Sequence, residues 1–330
     1  MKFALVFVCG IGFALASGSC LERGRDAQPE PVEQSEAQEA ARPAAPVSIR
    51  TSEPRGLAQD DATITIRLAS EPLHLNPVLA GDTVAVDLAL GDIYEGLLRV
   101  DRPGQAPRPA LAKSHVRSRD GRQWTFFLRE GVKFHSGHRL QAADVVRSFE
   151  LVHAAPGPLQ TDFDDLLSVK SDGADTVVFR FAGRRPGRSE AFASVPVLSS
   201  VSFRDVDAKT LQSAAASRQA NGTGPLRLVH WKEGGIELAR FEHYWGAPAR
   251  AQTIRYQVIP DRTRALAELR SGGVQVLLRM PVDEAIAAAQ DNENLALVRE
   301  SLPAYTAAFF NTEHPLLRAG LRAALSRSFD

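Results

Sequence analysis

The chain reads SHVRSRDGRQWTFFLREGVKFHSG over residues 114–137, and this stretch decides the fold class. Asp120-Gly121 is a turn signal. After it, Trp124, Phe126 and Leu128 occupy every second position, which is the pattern of a strand with one buried face. The stretch therefore predicts a core strand that directly follows a tight turn.

The same two patterns continue on both sides of this stretch. Period-two alternation or a short apolar run predicts further strands at residues 63–68, 177–181, 236–238, 254–258 and 274–278. Apolar residues at helical spacing predict helices with buried faces over residues 86–97, 142–152 and 265–269, and a last helix from about Leu316. Asp261 and Gly272 are suited to begin and end the third of these helices. Mixed strands and helices at these spacings indicate an α/β or mixed α+β fold.

Charge and cysteine content exclude some classes of function. Lysine plus arginine and aspartate plus glutamate both total 39, so the formal net charge is zero. This balance argues against nucleic acid as the main partner, because a phosphate backbone calls for a basic face. The two cysteines are Cys9 and Cys20, so the chain after residue 20 has neither a disulfide nor a cysteine metal ligand.

Residues 1–20 are predicted to be a signal peptide. Lys2 supplies the positive start, and the apolar run over residues 3–16 is too short to span a bilayer. Two cleavage readings stay open. Ala14-Leu15-Ala16 suits ordinary signal peptidase, whereas Ser17-Gly18-Ser19-Cys20 suits lipoprotein processing, in which Cys20 carries the lipid.

Residues 21–61 are predicted to be a disordered linker. They are rich in Glu, Gln, Ala, Pro, Ser and Arg and hold few large apolar side chains. Such a segment buries too little surface to offset the entropy of ordering it. Behind a lipidated cysteine, it would act as a tether that holds a folded body away from a membrane.

Seven short motifs follow one another between residues 62 and 330. They are Glu71-Pro72-Leu73-His74-Leu75-Asn76-Pro77, residues 93–98, residues 114–137 with Ala143-Asp144-Val145, Gly222-Thr223-Gly224-Pro225 with Trp231, Tyr244-Trp245, Ser271-Gly272-Gly273-Val274, and the stretch from Asn311 to Asp330. In this order they resemble the signature of the bacterial family 5 solute-binding proteins, which deliver peptides, nickel and related solutes to ABC importers. Leu226 and Gln275 depart from the family pattern, which has a tyrosine and an acid there.

The resemblance implies a periplasmic-binding-protein-like clamshell with an extra N-terminal subdomain. Residues 62–275 would form the first lobe, with the inserted subdomain at about 102–205. Residues 276–330 would begin a second lobe that is truncated, because family members continue well beyond the last motif. We therefore expect the first lobe to fold and the chain to bind solute weakly or not at all, since the opposing wall of the cleft would be missing.

The same resemblance supplies candidate solute-binding residues: Ser70, Glu71, Pro72, Leu73, Tyr94 and Trp231. It implies a protein of the periplasm or cell envelope, anchored to the membrane through lipid on Cys20, with ABC permease subunits as partners. Main-chain hydrogen bonds to a peptide or another small solute would suit sequence-tolerant recognition. The solute itself stays open among peptides, nickel chelates, sugars and heme.

No enzyme, catalytic residue, metal or cofactor is predicted. The chain lacks HExxH, CxxC and GxSxG motifs and a Walker loop. His135-Ser136-Gly137-His138 could be taken for a metal pair, but the glycine and the loop setting favour a structural turn. A sensor module or a decayed homologue with impaired binding is the alternative function, and a secreted hydrolase is disfavoured because no activated nucleophile is present.

Overall fold

The computed structural model describes residues 4–10, 62–79, 89–101, 105–155, 157–290, 292 and 295–301. The chain divides into two compact units, residues 1–8 with 48–299 and residues 9–47 with 300–330. Nearly all described residues belong to the first unit. Cys20, the predicted linker at 21–61 and the predicted last helix from Leu316 lie outside the described residues.

The described residues contain thirteen strands and six helices. The strands are β1 Ala4–Gly10, β2 Thr63–Leu68, β3 Leu98–Arg99, β4 Arg108–Pro109, β5 Ala112–Arg117, β6 Gln123–Leu128, β7 Leu166–Asp172, β8 Thr176–Phe181, β9 Leu226–Lys232, β10 Gly235–Arg240, β11 Thr253–Val258, β12 Val276–Met280 and β13 Leu295–Ser301. The helices are α1 Ala142–Ala154, α2 Pro158–Asp162, α3 Arg188–Ser194, α4 Ala215–Gln219, α5 Arg262–Ser271 and α6 Val282–Gln290.

The larger sheet has seven strands in the order β13-β1-β12-β2-β11-β10-β9. β2 runs parallel to both β11 and β12, and β10 runs antiparallel to both β11 and β9. As a result, the carboxyl ends of β2, β9, β11 and β12 lie at one edge of the sheet. Ile66 pairs with Tyr256 on one side and Val276 on the other, which places the predicted apolar positions in register.

The smaller sheet has four antiparallel strands in the order β5-β6-β8-β7. Its inner face presents Trp124, Phe126 and Phe179, whose rings pack around the fully buried Phe192 of α3. Phe149 of α1 completes this aromatic cluster, with its ring centroid 4.7 Å from that of Phe179. Alternation along β6 and β8 is confirmed, because every second residue is buried.

Asp144 fixes the start of α1. Its carboxylate accepts a 2.8 Å hydrogen bond from the Gln141 amide, and its other oxygen accepts 2.7 Å hydrogen bonds from the amide and hydroxyl of Ser200. An acidic side chain in the first turn also complements the helix dipole. The prediction of a helix-starting charge is confirmed, and Asp144 in addition ties α1 to the segment that follows α3.

Two further local predictions are confirmed. The side chain of Asp261 accepts a 2.7 Å hydrogen bond from the Arg264 amide and caps α5. Gly272 ends the helix in the left-handed conformation, with φ of 80°. A residue without a β-carbon adopts this conformation without steric cost.

The predicted helix that reaches Leu97 is wrong over residues 90–97. Gly91 has φ of 95°, and Ile93 and Tyr94 both donate to the carbonyl of Ala89, so the helical path stops there. The carbonyl of Ile93 then accepts from Gly224, and β3 begins at Leu98. Ile93 and Leu97 are buried as expected, but they reach the core from a turn and an extended segment. Val86 lies outside the described residues.

The sheet arrangement bears on the predicted lobe boundaries. The smaller sheet lies within the segment 102–205 assigned to a subdomain, although both sheets share one continuous core. β12 belongs to the same sheet as β2, so the sheet of the first lobe continues past residue 275. The signal-peptide segment contributes β1, which pairs in parallel with β12. The signal peptide, the subdomain and the second lobe remain predictions.

Candidate functional site

The predicted solute-binding loop lies at the carboxyl edge of the larger sheet. Ser70, Glu71, Pro72 and Leu73 follow β2 directly, and Trp231 is the second-last residue of β9 at the same edge. In open α/β sheets, ligands bind outside the carboxyl ends of the parallel strands. The topology therefore brings five of the six predicted residues to one edge.

Four side chains or backbone groups at this edge form what we call the first-loop clasp: Glu71, Leu73, Arg218 and Trp231. The indole Nε1 of Trp231 donates a 2.7 Å hydrogen bond to Oε1 of Glu71. The guanidinium carbon of Arg218 lies 3.9 Å from the centre of the Trp231 ring, and Nη1 of Arg218 donates a 3.2 Å hydrogen bond to the Leu73 carbonyl. Sequence reasoning found Glu71, Leu73 and Trp231 but missed Arg218.

The outer part of this loop faces solvent while its inner part is anchored. Ser70 and Glu71 are exposed, Leu73 keeps 67% of its surface exposed, and Pro72 is buried. The amide of Leu75 donates a 2.9 Å hydrogen bond to the Ser217 carbonyl of α4. The loop thus presents a carboxylate and an aliphatic side chain on a fixed base.

Tyr94 is in a different place from the other predicted residues. It is fully buried, and its hydroxyl has no hydrogen-bond partner among the described residues. Burial raises the pKa of the Tyr94 phenol far above its usual range. It packs beside Gly222, in the turn before β9, whereas Trp231 lies near the other end of that strand. A solute contact by Tyr94 remains a prediction, and its observed surroundings are those of a core residue.

A second constellation, the Glu95 node, consists of Glu95, Thr223, Tyr244 and Trp245. One carboxylate oxygen of Glu95 accepts hydrogen bonds from Thr223 Oγ1 at 3.0 Å and Trp245 Nε1 at 2.9 Å. The other accepts a 2.8 Å hydrogen bond from the Tyr244 hydroxyl. The guanidinium of Arg129 lies 4.6 Å above the Trp245 ring. The node joins three of the sequence motifs.

Burial and hydrogen bonding shift the pKa of Glu95 in opposite directions. Burial raises the pKa of Glu95, and the donors Trp245, Tyr244 and Thr223 act in the opposite direction. Burial and the neighbouring carboxylate of Glu95 raise the pKa of the Tyr244 phenol. All three partners donate to the carboxylate, and of them the indole N–H of Trp245 can only donate. The node joins the segments that carry these four residues.

His135, one half of the possible metal pair, is engaged by the backbone. Its Nε2 lies 3.0 Å from the Gly224 carbonyl, and its Nδ1 lies 3.4 Å from the Gly222 amide. Burial lowers the pKa of His135. Both ring nitrogens therefore contact the backbone of the turn at 221–225, which occupies the atoms that would ligate a metal.

Three further observations cover the part of the chain that the structure describes. No group of three or more His, Cys, Asp or Glu side chains within them could hold a metal ion, and none of their helices is long and apolar enough to cross a bilayer. A shallow pocket of about 390 Å³ is lined by residues of α1, β7 and the segment after α3, including Arg147 and Ser200. This pocket contains none of the predicted site residues.

Comparison with known proteins identifies the family. The model of the bacterial extracellular solute-binding proteins, family 5 Middle, matches residues 106–330, which is more than half of the chain. The chain belongs to the family 5 solute-binding proteins. The match runs through the smaller sheet, the turn at 221–225 and β9 to β13, so both the first-loop clasp and the Glu95 node contain family 5 segments.

Individual family 5 proteins are similar to this chain in sequence and in structure. The oligopeptide-binding protein AppA of Bacillus subtilis is 26% identical over 266 residues, which are 79% of this chain and 48% of that protein. The structure of AppA in complex with a nonapeptide superposes with a TM-score of 0.65 at 25% identity, covering 71% of this chain and 47% of that one. NikZ of Campylobacter jejuni, in complex with Ni(L-His), has a TM-score of 0.56 at 26% identity and covers 64% and 42%.

The chain spans about half the length of the curated relatives that it matches. The superpositions confirm the predicted fold class, a mixed α/β structure that resembles the periplasmic binding proteins.

Proposed function

We propose that this protein is the solute-binding component of an ABC importer and captures a peptide at the carboxyl edge of its larger sheet. Family membership supports the transport role, and the oligopeptide-binding relative supports a peptide as the solute. The permease subunits would receive the solute outside the cytoplasm.

The observation that carries the proposal is the position of the Ser70–Leu73 segment, in which Ser70, Glu71 and Leu73 are exposed. It extends from a parallel strand at the carboxyl edge, where its backbone can pair with an extended peptide. Trp231 of β9 donates a hydrogen bond to Glu71, so the segment is already ordered before a solute arrives. Preorganisation of this kind lowers the entropy lost on binding.

A peptide titration followed by NMR tests the proposal. The chain is labelled with ¹⁵N and titrated to millimolar concentration with a pool of synthetic tri- to nonapeptides, so that weak binding is also detected. We expect shift changes centred on residues 70–73 and on Trp231, and a loss of about tenfold in affinity in Trp231→Ala. Val229→Ala, at an exposed position on the same strand, is the matched control. Shifts that avoid the carboxyl edge, or no shifts at all, contradict the proposal.

We further propose that Cys20 carries lipid and anchors the protein to the cell envelope. The lipobox-like stretch before Cys20 and the polar segment after it support this placement. Cys20→Ala should move the protein from the membrane fraction to the soluble envelope fraction, with Cys9→Ala as the control. Equal membrane association of Cys20→Ala and the parent protein would contradict the anchor.

A further inference from the structure

We propose that Arg218 is a positioning residue that holds the Ser70–Leu73 segment in its solute-binding shape. The inference rests on the proposed function, because that segment matters only if a solute binds there. Arg218 belongs to α4, which carries none of the seven motifs, and it reaches the loop from a part of the chain distant in sequence.

The first observation is that α4 and the loop are joined side by side. The Leu75 amide donates to the Ser217 carbonyl at 2.9 Å, and Nδ2 of Asn76 donates to Ser217 Oγ at 3.1 Å. Ser217 Oγ in turn donates to the Leu211 carbonyl at 2.6 Å. These contacts fix the inner half of the loop and place the next residue, Arg218, beside the outer half.

The second observation is that Arg218 contacts two parts of the clasp at once. Its guanidinium stacks on Trp231 at 3.9 Å and donates to the Leu73 carbonyl at 3.2 Å. The edge of the same indole donates to Glu71 at 2.7 Å. Trp231 is therefore held between a cation on its face and an anion at its N–H. Through it, Arg218 contacts the loop both at Leu73 and, indirectly, at Glu71.

The chemistry of these contacts favours arginine over lysine. A planar guanidinium can stack flat on an indole and still donate from its edge, whereas the ammonium of lysine is a point charge. Arg218→Lys should therefore keep part of the function, and Arg218→Met should keep only the apolar stem that packs along the ring. The order of effects is a signature that simple loss of positive charge would not produce.

The test measures amide hydrogen exchange of Glu71, Leu73, His74 and Leu75, since Pro72 has no N–H, together with peptide affinity. In Arg218→Met we expect exchange at these amides to accelerate about tenfold, equal to about 1.4 kcal/mol, since one cation–π contact and one hydrogen bond are lost. The midpoint of the peptide titration should rise by a similar factor. For both quantities, Arg218→Lys should give values between those of the parent and of Arg218→Met. The melting temperature of each variant should stay within a few degrees of the parent. Arg227→Met, at an exposed position on β9, is the matched control and should change neither quantity.

Each outcome decides the proposal. Exchange that stays within twofold of the parent, or equal acceleration in Arg227→Met, overturns the positioning role. A loosened loop with unchanged peptide affinity also overturns it, because the shape of the loop would then not set binding. If the parent binds no peptide, the proposed function fails, and the exchange data alone then decide whether Arg218 holds the loop.

Discussion

The hydroxyl of Thr223 donates a 3.0 Å hydrogen bond to the carboxylate of Glu95, across 128 positions of sequence. Both residues are buried, and Tyr244 and Trp245 donate to the same carboxylate. The bond joins the turn before β9 to the segment before β3. These two segments also share backbone hydrogen bonds from Gly224 to Ile93 and from Leu226 to Asp92.

Removal of the Glu95 carboxylate should destabilise the protein. In Glu95→Leu the buried donors of Thr223, Tyr244 and Trp245 would all lose their acceptor. We expect a loss of about 2–4 kcal/mol in the free energy of unfolding, measured by urea denaturation. Glu130→Leu is the control, since the Glu130 side chain is 84% exposed and its surface pair with Lys113 should contribute less than about 1 kcal/mol. Equal effects of the two substitutions would show that the node is not a stabilising joint.

Asp92 should make stability fall as the pH rises. Burial raises the pKa of its carboxyl from 3.8 to about 6, and the Tyr256 hydroxyl donates to it at 3.4 Å. A raised folded-state pKa means that the protonated form stabilises the fold below pH 3.8, and this contribution is lost as the pH passes through 6. The shift corresponds to about 3 kcal/mol at most. Asp92→Asn should remove this decline in urea unfolding measured between pH 4 and 7, and parallel curves for the two proteins would contradict the prediction.

His135 should make the stability of the fold decrease as the pH falls. Burial lowers its pKa from 6.5, and its contacts with Gly222 and Gly224 require a neutral ring that donates from Nε2. A lowered folded-state pKa means that its contribution is present above pH 6.5 and is lost as the pH falls through the folded pKa. NMR titration should give His135 a midpoint below 6.5, and His135→Gln should flatten the acid side of the stability curve. A midpoint at or above 6.5 would contradict the lowered pKa of the buried ring.

Gly222 should not tolerate a side chain. A β-carbon there would overlap the Ile93 carbonyl and lie 3.1 Å from Cδ1 of the buried Tyr94 ring. Because the clash involves backbone, relief requires the joint to open, and we expect Gly222→Ala to cost about 3 kcal/mol of unfolding free energy. Gly183→Ala is the control, as a β-carbon there meets no atom within 4 Å. Similar melting temperatures for the two variants would contradict the close approach.

Much of the local structure followed from the sequence alone. Alternation located β2, β6, β8, β10 and β11, and helical spacing with Asp144 and Asp261 located α1 and α5. β9 was missed, because its pairing with β10 shifts register between Glu237 and Leu238 and the period of two is interrupted. β5 was missed because its residues are mostly polar and exposed.

Some residues of the candidate site could be predicted from the sequence, and others could not. The motifs marked Glu71, Leu73 and Trp231, but they also marked Tyr94, which the structure places in the core beside Gly222. Nothing in the sequence marked Arg218, since an exposed arginine on a five-residue helix has no periodic or motif signal.

The sequence by itself determined which segments bury one face and where helices begin and end, because burial periodicity and capping act between residues close together in the chain. Only the tertiary structure decided that Thr223 meets Glu95 and that Arg218 stacks on Trp231. Those contacts depend on the order and direction of strands that are distant in sequence. Their energies come from hydrogen bonds and ring contacts that exist only once the sheet has brought the partners within about 4 Å.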